Sequence, residues 1–87
     1  MNEEIKALAA ELGHDQQRVQ EMVYGTLRVL ARWVRGGLAM DEISEPVIAA
    51  ALHQYAEQHK NMCRTAYLHR NEFARQVLNL IAAKTTA

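Results

Sequence analysis

The chain has 87 residues, enough for one domain whose thin core hides roughly 60 to 65% of the surface of the unfolded chain. Hydrophobic residues make up 49% of it and proline occurs once, which excludes a disordered or collagen-like chain. Ten basic residues cancel ten acidic ones, and no apolar run approaches the ~20 residues of a membrane span.

The N-terminus, Met1-Asn2-Glu3-Glu4, lacks the basic-then-apolar pattern of a secretion signal, and a lone Cys63 forms no intrachain disulfide, so a cytoplasmic protein is expected. The charges alternate by segment. Residues 1–21 carry two bases against five acids, 22–40 three arginines and no acid, 41–57 four acids and no base, and 58–87 five bases against one acid. This pattern suits helices of opposite sign lying side by side, within one molecule or between two.

In chain order, Asn2 is a cap and Glu3 and Glu4 suit the positive end of a first helix, whose apolar face is Ile5, Leu8, Ala9 and Leu12. Gly13 supplies its left-handed stop. Asp15 caps a second helix with Val19, Met22, Val23, Leu27, Leu30, Trp33 and Val34 at three-and-four spacing, and Gly36 and Gly37 end it. Gly25 lies mid-helix at a cost of ~1 kcal/mol relative to Ala, so it marks either a break, with Thr26 as a new cap, or a close contact between helices.

Residues 38–43 read as a connection, and Ser44-Glu45-Pro46 as a helix start, because proline suits only the first turn. Val47, Ile48, Ala51, Leu52, Tyr55 and Ala56 form the buried face that follows. After His59-Lys60-Asn61, the apolar positions Met62, Cys63, Ala66, Tyr67, Phe73, Ala74, Val77, Leu78 and Ile81 continue to the C-terminus. With no Gly or Pro after Pro46, two alternatives stay open: a bend near residue 60, or one helix of ~55 Å. So long a helix cannot bury its face in a small monomer, which makes homodimerisation through long C-terminal helices the natural completion. The expected architecture is therefore an all-α single domain over 1–87, a bundle of three to five helices.

Within residues 5–24, Ala9, Gly13 and Val19 stand where close helix packing needs a small residue, a turn glycine and a branched aliphatic, with Leu8, Leu12 and Met22 in support. This spacing resembles the helix-turn-helix unit of bacterial and phage repressors. The resemblance covers about a quarter of the chain and implies that the second helix reads DNA, with Gln16, Gln17, Arg18 and Gln20 facing adenine and guanine edges. Against that, residues 1–21 are net acidic where a DNA-binding face should be basic.

Arg28, Arg32 and Arg35, at i, i+4 and i+7 opposite the apolar stripe, form a basic strip suited to phosphates or an acidic protein, and Lys60, Arg64 and Arg75 form a second. Solvated charge at helical spacing is the simplest account of either. His53, His59, Cys63 and His69 do not match a familiar zinc spacing, so no metal and no cofactor is expected. A glycine-rich phosphate loop, a nucleophile elbow and paired carboxylates are all missing, and helices this short leave little room for a pocket of ~300 Å³, so the chain reads as a non-enzyme. Trp33, Tyr55, Tyr67 and Phe73 read as core, while any that stay exposed, with Met22, Met40 and Met62, would make an association surface.

The reading that accommodates most of this is a small helical regulatory or adaptor protein, a homodimer that binds and modulates another protein through Arg28, Arg32, Arg35 and Trp33. The helix-turn-helix regulator is the alternative.

Overall fold

A computed structural model describes residues 2–59 and 68–86, with side chains over 3–59 and 68–83. Its elements are α1 (Asn2–Leu12), α2 (Gln16–Arg35), a 3₁₀ turn (Met40–Glu42), α3 (Glu45–Gln58) and α4 (Arg70–Thr86), with no strand among the described residues. The chain is all-α, a small bundle.

Each boundary has a local cause. Gly13 ends α1 at φ +70°, where the His14 amide donates to the Ala9 carbonyl at 2.9 Å, the wide closing bond that a left-handed residue permits. The Asp15 carboxylate accepts from the Gln17 amide at 3.3 Å and caps α2. At the other end the Leu38 amide donates to the Trp33 carbonyl at 2.9 Å around Gly37, which takes φ +122°. Ser44 is the extended residue before α3, and Pro46 fits the first turn, where no amide donor is needed.

α2 passes through Gly25 without a break. The glycine is buried, and a Cβ built there would overlap the Tyr55 ring of α3. Of the two readings open for Gly25, the close helix contact is therefore the correct one. Thr26, the cap that a break would have used, is instead buried in the core with no hydrogen-bond partner for its hydroxyl among the described residues.

The single long C-terminal helix does not form. α3 stops at Gln58, where His59 turns extended (φ −128°, ψ 93°), and α3 and α4 pack against each other. The longest dimension of the molecule is 33 Å, too short for a straight helix of ~55 Å. No second chain is needed to cover so long a helix, because α3 and α4 cover one another. Helices adjacent in sequence pack in turn, α1 on α2, α2 on α3 and α3 on α4, and α4 returns to meet α1 loosely. All of this surrounds one core, with Ile5, Val19, Val23, Ile48, Leu52, Phe73 and Val77 wholly buried.

Candidate functional site

α2 is the longest helix and presents most of the residues singled out from sequence. Its inward face buries Val19, Met22, Val23, Val29 and Leu30. At 100° per residue the opposite face carries Gln17, Tyr24, Arg28, Ala31 and Arg35 in one stripe, with Glu21 and Arg32 beside it, and all seven are exposed. Among the described residues none forms a salt bridge with Arg28, Arg32 or Arg35. Arg32 and Arg35 also complement the negative C-terminal end of the helix.

Trp33 does not share that stripe. It lies on the inner side of α2, half-buried against the core, so its indole belongs to packing more than to the arginine surface. Tyr24 does share it, with 38% of its surface exposed, and sequence inspection missed it because its own neighbours Met22 and Val23 are core. The signal was available: Tyr24 stands four residues before Arg28, on the polar side of the helix.

The four candidate base readers do not converge. Gln16, Gln17 and Arg18 are exposed and Gln20 is half-buried, but consecutive residues point 100° apart, and only Gln17 falls in line with Arg28 and Arg35. The hairpin beneath them nevertheless has the packing a helix-turn-helix needs: Ala9 and Val19 are buried, 3% and 0% exposed, and Gly13 is left-handed.

The second basic strip is not one surface. Arg75 bonds Glu72 on its own helix, while Lys60 and Arg64 lie outside the described residues. The Arg75 guanidinium holds the Glu72 carboxyl below the usual carboxylate range, and Gln76 and Glu11 act in the same direction. Of the histidines, His53 approaches Glu57 at 3.5 Å and His59 sits against the Tyr55 ring at 4.3 Å between centroids. Cys63 lies outside the described residues, as do Met62 and Tyr67. Among the described residues no three metal-ligating side chains converge. Met22 is buried, whereas Met40 and Leu68 are 56% and 67% exposed.

The short helices do leave a concavity, contrary to the expectation of little room. A half-open groove of about 410 Å³ separates α1 from α4, because these two helices touch less closely than the other neighbours. Ala7, Leu8, Leu80 and Ala83 form its apolar lining, and Glu4 and Glu11 stand on its α1 lip. The Gln76 amide donates across it to the Glu11 carboxylate at 3.4 Å, which fixes α1 and α4 as antiparallel neighbours, with Glu4 at the Ala83 end. The lining holds no histidine, cysteine or serine, and its ionisable groups are the carboxylates of Glu4 and Glu11.

No family model, no curated protein and no solved structure matches this chain. Among the described residues no helix is long and apolar enough to cross a membrane.

Proposed function

We propose that this protein is a non-enzymatic helical regulator or adaptor that acts by docking the outer face of α2 onto an acidic surface of another protein, and that it self-associates. The observation that carries this reading is the arginine stripe: Arg28, Arg32 and Arg35 are exposed on one side of α2, within a carboxylate-free segment 22–40, and no described residue pairs with them. Arginines exposed on one side of a helix present planar forks that bind carboxylates in two-point fashion. Tyr24 adds an amphipathic ring to the same stripe, the kind of residue that anchors an interface.

Helix-turn-helix DNA binding is the second reading, favoured by the burial of Ala9 and Val19 around the left-handed Gly13. The acids of α1 and the presence of Glu21 beside Gln17 oppose it, since phosphates repel both.

Fluorescence anisotropy separates the two with two labelled probes, poly-L-glutamate and random-sequence duplex DNA, at ~50 mM and ~200 mM salt. The proposal expects poly-glutamate binding that Arg32→Glu with Arg35→Glu weakens at least about tenfold, and that Gln17→Ala with Arg18→Ala leaves within about twofold. Duplex binding lost in the Gln17 and Arg18 variant, with no binding of poly-glutamate, would replace the proposal with the DNA reading.

A further inference from the structure

The α1 lip of the groove and the outer face of α2 share one spacing with opposite charge. On α1, Glu4, Ala7 and Glu11 follow at +3 and +4; on α2, Arg28, Ala31 and Arg35 follow at the same +3 and +4. All six are exposed, and Glu11 also accepts from the Gln76 amide across the groove, a bond that an incoming arginine would share or replace. In each helix the outer two charges stand about 10.5 Å apart along the axis, so two parallel helices place Glu4 level with Arg28 and Glu11 level with Arg35.

The middle position matters as much as the charges. An alanine at the centre of both triplets lets the two helices approach to about 8 Å between axes, where bulkier residues would hold them apart. Beside Ala7 the surface falls away into the groove over Leu8, Leu80 and Ala83, which gives the incoming helix an apolar floor as well as two ionic contacts. Tyr24, one turn before Arg28, extends the same stripe and adds aromatic area to it.

We propose that the α1–α4 groove receives the outer face of α2 from a second copy of this chain, with Arg28 and Arg35 against the partner's Glu4 and the partner's Glu11. This rests on the reading of α2 as a docking face and names its first partner as the protein itself. The two patches differ, so the contact is heterologous: it closes into a symmetric assembly where both groove and stripe of each copy engage, and otherwise extends. Ion pairs at an exposed rim set register and partner choice, and salt weakens them.

Charge swapping tests the contact. Light scattering at ~100 µM protein and ~50 mM salt is run on the wild type, on Arg28→Glu with Arg35→Glu, on Glu4→Lys with Glu11→Lys, and on an equimolar mixture of the two variants. Each substitution lies on an exposed helix position, and far-UV circular dichroism verifies the fold. The expected masses are above 9.9 kDa for the wild type, 9.9 kDa for each variant alone, and above 9.9 kDa again for the mixture, because the reversed stripe of one variant complements the reversed lip of the other. A wild type of 9.9 kDa, association that survives in both variants, or a mixture that stays monomeric overturns the proposal. A monomeric wild type that still loses poly-glutamate binding on reversal of Arg32 and Arg35 would leave the docking face standing and remove only the second copy as its partner.

Discussion

Gly25→Ala is the substitution whose outcome depends most sharply on the fold. In an isolated helix it would stabilise by about 1 kcal/mol, because alanine restricts the unfolded chain and favours helix. Here the added methyl would overlap the ring of Tyr55, so α2 and α3 must separate or the ring must leave its place. Overpacking of this kind costs about 1–3 kcal/mol, and with the propensity gain subtracted the expected net loss is up to about 2 kcal/mol. In a domain of this size that is a fall in Tm of up to roughly 15 °C. The cause is isolated by a double-mutant cycle with Tyr55→Ala, read from urea unfolding by circular dichroism at low temperature. Once the ring is gone, Gly25→Ala should become neutral or stabilising, a coupling of about 1–3 kcal/mol between the two sites. A Gly25→Ala protein more stable than the wild type, or equally destabilised with and without the Tyr55 ring, would refute the close approach of α2 and α3.

Thr26→Val should stabilise by about 1 kcal/mol in urea unfolding, since the buried hydroxyl has no described partner and its desolvation is uncompensated; a loss of more than about 1 kcal/mol would reveal a hydrogen bond that matters. Asp15→Ala should cost about 1 kcal/mol by removing the cap that accepts from the Gln17 amide, and should raise amide exchange in the first turn of α2 more than in its last. Glu72 titrates below its unfolded value because Arg75 bonds the ionised carboxylate, so the pair's contribution is complete above the ordinary carboxylate value of about 4.3 and disappears as pH falls through the lowered one. Carboxyl NMR titration should show that lowered midpoint, and Arg75→Ala should move it back toward the ordinary value.

The parts of the fold that local chemistry decides were legible in the residues. Gly13, Asp15, the pair Gly36-Gly37 and Ser44-Glu45-Pro46 mark four boundaries, and each works through a cap, a positive φ or a proline in the first turn that needs no distant partner. What depends on contacts far along the chain was not. Whether Gly25 breaks α2 is settled by Tyr55, thirty positions away, and α3 stops at His59 without a glycine or proline to announce it. Residue types that favour helix throughout 47–87 cannot show where the chain must turn back to bury Phe73 and Val77 against Ile48 and Leu52. The candidate site divides in the same way. The arginine stripe follows from 3.6 periodicity alone, whereas Trp33 was grouped with it for its residue type although it lies on the inward side. The engagement of Arg75 with Glu72 was readable from their i, i+3 spacing and was passed over in favour of a longer basic strip. The groove between α1 and α4 joins the two ends of the chain, and only the fold brings them together.

Self-association through the outer face of α2 is tested most directly by a series of 1H–15N amide spectra of the labelled protein from ~10 µM to ~1 mM at low salt, where rim ion pairs are strongest. The expected result is a set of concentration-dependent shifts confined to the outer stripe of α2, to α1 around Glu4, Ala7 and Glu11, and to α4 around Leu80 and Ala83, diminishing as salt rises. Shifts that cluster instead around Met40 or Leu68, or spectra that do not change across the series, would contradict it.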